Sequence, residues 1–115
     1  MLKASFLFET GTDRILKVEM SGHSDFGAYG NDVVCASASV LVLSTINALE
    51  EYVGINTQAV VESGKTSFVI ETETEVQSIQ AQAIAHSFYM AMTGFEEEYH
   101  DFIEVTMIME ENDDD

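Results

Sequence analysis

The chain has one cysteine, no proline, no tryptophan and only four lysines and arginines in 115 residues. One cysteine cannot close an intrachain disulfide or supply a four-cysteine or Cys₂His₂ zinc site, which points to a reducing compartment and to no structural metal. The near-absence of cations, four against 21 acids, gives a formal charge of −17. A polyanionic nucleic-acid backbone is repelled by such a surface, so nucleic acid is excluded as a partner. No segment has the h-region and cleavage site of a signal peptide, because Ser5 and Glu9 interrupt the amino-terminal apolar stretch. The uncharged stretch Val33 to Leu49 carries Ser37, Ser39, Ser44, Thr45 and Asn47 and falls short of the ~20 residues of a bilayer span. The expectation is a cytoplasmic protein without membrane association, with that stretch as a buried helix.

What is present is a hydrophobic content of 46%, too much for a solvated acidic disordered chain, so the charge coats one folded body. Ala4 to Glu9 and Ile15 to Met20 flank Thr10-Gly11-Thr12-Asp13, which is turn chemistry, and read as a hairpin with Leu16, Val18 and Met20 on one face. GHSDFGAYG, from Gly22 to Gly30, has no helical or strand period and reads as a flexible loop. Asn31 or Asp32 can cap a helix from about Val33 to Val53, apolar on every side and stopped by Gly54. Thr57 to Glu62 and Thr66 to Glu71, around Ser63-Gly64-Lys65, form a second hairpin. Glu75 to Thr93 reads as a second helix with Ile84, Phe88, Met92 and Phe95 in one stripe and Gly94 closing it. Phe102 to Ile108 reads as a last strand. The order ββαββαβ implies an α+β domain over residues 1–109, a mostly antiparallel sheet packed on two helices, followed by a solvated, disordered acidic tail at 110–115. Met90, Met92, Met107 and Met109 fall at core-like spacing.

Cys35 is the one nucleophile with a distinctive setting. With Asp32 as cap it lies in the first helical turn, where exposed N–H groups and the helix dipole favour a thiolate and could hold an oxyanion. His23 precedes it by twelve residues, across a glycine-rich loop able to bring the imidazole over the helix start. A Cys–His pair at hydrogen-bonding distance is the minimal thiol-hydrolase constellation: the imidazole takes the thiol proton and returns it to the leaving amine. His86 reads as a packing or solvent-facing residue, His100 as a neighbour of Glu98 and Asp101, and no lysine follows the glycines as a phosphate loop requires.

Ser21-Gly22-His23-Ser24, the glycine-rich loop, and Gly30-Asn31-Asp32-Val33-Val34-Cys35-Ala36-Ser37-Ala38-Ser39 together resemble the ribosomal-processing cysteine protease family called Prp. That family shows a Gly-His motif followed by a Gly-x-Asp-[Ile/Val]-Val-Cys-Ala block with a nearby serine. Ser24 and Ser37 depart from alanines common at those positions. The resemblance implies a Cys35 nucleophile, a His23 general base and acid, and Asp32 and Ser39 as auxiliary residues near the site. It also implies a homodimer, for which helix one and the sheet edges have enough apolar surface, and no cofactor. The implied reaction removes the short amino-terminal extension of a basic ribosomal protein, the twenty-seventh of the large subunit. Gly22, Phe26, Gly27, Tyr29 and Gly30 would form a substrate loop that orders on binding. The alternative from another class is a non-catalytic acidic module holding a basic ribosomal protein, with Cys35 merely buried; a small thioesterase would need an acyl pocket the sequence does not display.

Overall fold

The computed structural model describes residues 1–22 and 29–111, with residues 29–32 described by backbone alone. His23, Phe26 and Gly27, and with them most of the expected substrate loop, lie outside the described residues, as do residues 112–115. Five strands and two long helices follow in the expected order: β1 (Leu2–Phe8), β2 (Ile15–Ser21), α1 (Tyr29–Asn47), β3 (Val60–Glu62), β4 (Lys65–Val69), α2 (Glu75–Glu98) and β5 (Ile103–Met109). The sheet order is β3-β4-β2-β1-β5, antiparallel except where β5 runs parallel to β1. This is the α+β architecture of the sequence reading.

Alternation in β1 sends Leu2, Ala4, Phe6 and Phe8 to the buried face. The aromatic layer beneath α2 is built on them, with Phe6 4.8 Å from Tyr89 and 5.6 Å from Phe88, ring centre to ring centre. In β2 the register shifts opposite Leu7 and Phe8, so Ile15, and not Leu16, joins Val18 and Met20 in the core. A one-residue shift exchanges the faces of every residue beyond it, which is why the expected Leu16 face is corrected. Gln82 of α2 stabilises that irregularity. Its Oε1 accepts from the Ile15 N–H at 2.8 Å and its Nε2 donates to the Ile15 carbonyl at 2.9 Å, reproducing a two-bond strand pairing where the ladder is interrupted.

Both helices exceed their expected bounds. α1 begins at Tyr29 and continues through a π-helical turn, Ala48–Val53, that ends on left-handed Gly54. Asn31 and Asp32 therefore lie inside its first turn and do not cap it, and an acid there still suits the positive end of the helix dipole. α2 is capped by Thr74, whose hydroxyl accepts from Gln77 N–H at 3.1 Å, and runs through Gly94 to Glu98. Gly94 is tolerated because a single helical glycine costs only about 1 kcal/mol relative to alanine. One face of α1 is seated on the sheet by Val34, Ala38, Val42, Ile46 and Leu49. Val40 is 68% exposed, however, so this uniformly apolar helix is buried on one main face and not all round. Of the four methionines at core-like spacing only Met92 is buried; Met90, Met107 and Met109 are exposed.

Replacing Gln82 by alanine is expected to lower stability by about 2 kcal/mol, since it strands a buried N–H and carbonyl at Ile15. The check is the urea unfolding midpoint, which is expected to fall at unchanged slope.

Candidate active site

The seat of α1 determines where its polar residues point. With Val34, Ala38 and Val42 held on the sheet, residues one position further on are rotated by ~100° toward the β3–β4 hairpin. Cys35, Ser39 and Leu43 share that edge of the helix, and with Ala38 and Val42 they form one wall of a cleft of ≈ 310 Å³. Leu2 and Met20 form its floor at one end of the sheet. Val61 and Thr66, which face each other across the β3–β4 ladder, contribute to the opposite side together with the Ser63-Gly64 turn. Cys35 is half-buried and Ser39 is exposed, so a thiol and a hydroxyl one helical turn apart open onto a cleft of mixed lining, apolar along α1 and partly charged at the hairpin, where Glu62 and Lys65 border it.

Gly22 closes the end of the cleft next to the histidine position. Its φ is +93°, and its N–H donates to the Gly64 carbonyl at 3.0 Å, tying the end of β2 to the hairpin turn. A Cβ on Gly22 would stand 2.3 Å from the carbonyl oxygen of Met1, nearer than any contact allows. Only glycine meets both the left-handed backbone and that approach. His23 follows directly in sequence, so this glycine fixes where the chain leaves the sheet.

One expectation is corrected. Because α1 starts at Tyr29, Cys35 is its seventh residue and lies in the second turn. The unpaired N–H groups belong to the first four helical residues. The proposed use of first-turn N–H groups at Cys35 itself therefore loses its basis, and the dipole acts on the thiol from further away. Of the other expected site residues, Tyr29, Gly30 and Asp32 are placed by backbone in the first turn of α1, the turn before Cys35. His86 is not part of the site: its Nε2 lies 2.7 Å from the Asp13 carbonyl oxygen, and its ring stands edge-on to Phe8. His100 pairs with Asp101 at 3.1 Å on the exposed surface. Among the described residues no group of three or more His, Cys, Asp or Glu side chains could hold a metal ion.

The wall supplied by β3 and β4 was not legible in sequence, because it depends on β4 pairing with β2 across the whole first helix. Alternation in the second hairpin, which puts Val61 and Thr66 on one face, was the available signal.

A half-buried thiol beside an open cleft is a competent setting for attack on a peptide carbonyl, and comparison with known proteins decides the class. A family model described as "Cysteine protease Prp" matches residues 1–104. The chain belongs to the Prp family of cysteine proteases. The "Ribosomal processing cysteine protease Prp" of Staphylococcus aureus is 29% identical over 90 residues, covering 78% of this chain and 84% of that protein. Its namesake in Bacillus subtilis is 27% identical over 95 residues, covering 80% and 85%. Among solved structures, SMU.848 from Streptococcus mutans superposes with a TM-score of 0.83 at 24% identity, covering 96% of this chain and 99% of that one. The S. aureus Prp crystallised with a substrate peptide superposes with a TM-score of 0.78 at 23% identity, covering 93% and 99%. The Prp assignment makes the protein a thiol-dependent peptide hydrolase and removes the non-catalytic alternative.

Gly22→Ala is expected to destabilise the protein by more than ~1 kcal/mol, because the alanine is incompatible with the native backbone angle. Peptidase activity is expected to fall with it, and thermal unfolding alongside a peptide-cleavage assay checks both.

Proposed function

We propose that this Prp-family protease removes the amino-terminal extension of a basic ribosomal protein, the twenty-seventh of the large subunit, through a dyad of Cys35 and His23. The observation that carries the reading is Cys35 on the cleft wall, one turn from Ser39, with Gly22 anchoring the chain immediately before His23. The names of the S. aureus and B. subtilis relatives support a ribosomal substrate. A net charge of −17 supports a cationic one, since an acidic surface raises the encounter rate with a basic protein and disfavours nucleic acid.

In the proposed reaction the His23 imidazole accepts the Cys35 thiol proton as the sulfur attacks the scissile carbonyl. The tetrahedral oxyanion collapses to a thioester, and the imidazolium protonates the departing amine. Water, deprotonated by the same imidazole, then attacks the thioester carbonyl, releases the amino-terminal fragment as a carboxylic acid and restores the thiol. Asp32 and Ser39 act as auxiliary groups beside this pair, and Phe26 or Tyr29 contacts the apolar residues of the extended peptide beside the scissile bond. The enzyme works in the cytoplasm as a homodimer, for which the exposed Val40 and Leu43 of α1 offer apolar surface.

The test is incubation with the extended ribosomal protein and mass measurement of the products. Parent protein is expected to release the extension, and Cys35→Ala and Cys35→Ser to lose the reaction by at least about 100-fold, with the fold retained. His23→Ala is expected to lose cleavage and to slow alkylation of Cys35 by iodoacetamide, because the imidazole assists thiolate formation. Unchanged processing by Cys35→Ala would refute the nucleophile assignment, and equal alkylation in parent and His23→Ala would refute the coupled pair.

A further inference from the structure

β5 forms one border of the sheet and, among the described residues, pairs only with β1. The Leu2 N–H donates to the Phe102 carbonyl at 2.9 Å and the Glu110 N–H to the Phe8 carbonyl at 2.8 Å. Even-numbered backbone groups along β5 thus turn toward β1, and those of Ile103, Val105, Met107 and Met109 turn outward. The first two outward N–H groups are occupied: Ile103 donates to the Tyr99 carbonyl at 3.2 Å, and Val105 donates to the Glu96 carboxylate at 2.7 Å. Beyond Val105 no such cover exists among the described residues. Met107, Ile108 and Met109 are 55%, 45% and 45% exposed, an apolar edge of the kind proteins usually block with lysine, proline or a covering element.

The charges around this edge indicate what fits it. β5 contains no cation, Glu104 precedes the open stretch, and Glu110 and Glu111 follow it. Glu104 and Glu110 are six residues apart, or ~20 Å along an extended strand. An antiparallel second copy would set the acids after Met109 of one chain against Glu104 of the other, on molecules that each carry −17. An extended segment bearing lysine or arginine near its ends and apolar residues between them gains both the ladder and the charge pairing. Leu2, on the cleft floor, is the ladder partner of Ile103. The open stretch begins four residues further along, about 13 Å away, a distance that about five extended residues of a bound chain can span.

We infer that the Met107–Met109 edge of β5 is an exosite that takes an extended cationic segment of the substrate as an added strand, outside the cleft that holds the scissile bond. The inference rests on the peptidase reading for its role, but binding can be read without cleavage. The probe is a fluorescein-labelled peptide of alternating lysine and valine, titrated by anisotropy against parent, Met107→Pro and Met107→Lys proteins. Met107→Pro deletes an outward N–H without touching the ladder to β1, and Met107→Lys adds repulsion, so the second variant serves if the first fails to fold. Both are expected to weaken the probe at least tenfold, and an alternating glutamate–valine peptide is expected not to bind. With substrates, KM is expected to rise about tenfold for a protein carrying its basic segment, with kcat and the cleavage of a short peptide unchanged. Binding of the probe to parent without cleavage of either substrate would refute the peptidase reading while supporting the exosite. Parent that does not bind the probe, variants that bind it as parent does, or an edge whose variants change only the oligomer mass in sedimentation would overturn the inference.

Discussion

The seating of α1 on the sheet is the constraint on which the rest depends. Burial of Val34, Ala38, Val42, Ile46 and Leu49 fixes both the position of the helix and its rotation about its own axis. Each of the valine, isoleucine and leucine side chains in this row contributes about 1.5–3 kcal/mol when fully buried, and the Ala38 methyl less. Rotating the helix by one residue would expose this row and bury Ser39. The azimuth of Cys35 is therefore set by hydrophobic burial one residue away, and no polar contact of the thiol is needed to aim it at the cleft. The position of the thiol here is a by-product of core packing.

The sheet completes the arrangement from the other side. Gly22 couples the end of β2 to the Gly64 turn and admits the Met1 carbonyl at a distance that excludes any side chain. The two chain segments that precede His23 and contain Cys35 are thus anchored on the same end of the sheet, one through a backbone hydrogen bond and the other through a buried helix face. The opposite border of the sheet serves differently: Glu96 blocks part of β5 and leaves its methionine-rich remainder open.

Much of this was legible in the sequence. The order of elements followed from turn residues and periodicity, and Cys35 stood out by its motif. The start of α1 was not, because Asn31 and Asp32 satisfy the chemistry of a cap and of a first turn equally well, and only the paired backbone distinguishes them. Gly94 looked like a stop, yet the packing of Phe95 and Tyr99 against the core carries α2 past it. Met107 and Met109 have the alternation of a buried strand face, but α2 packs on their ladder partners Phe6 and Phe8 and leaves the border strand exposed at that level; lateral cover is a tertiary property. The hairpin wall of the cleft, with Val61 and Thr66, likewise required the non-local pairing of β4 with β2.

The central claim, that Cys35 attacks the scissile carbonyl, is tested most directly by acid-quenching the parent protein during turnover and mapping its mass by peptide fragmentation. The account predicts a transient thioester on Cys35 carrying the amino-terminal fragment of the substrate. Processing that proceeds with no adduct at any quench time, when hydrolysis of the thioester has been slowed enough to accumulate it, or an adduct on another residue, would contradict it.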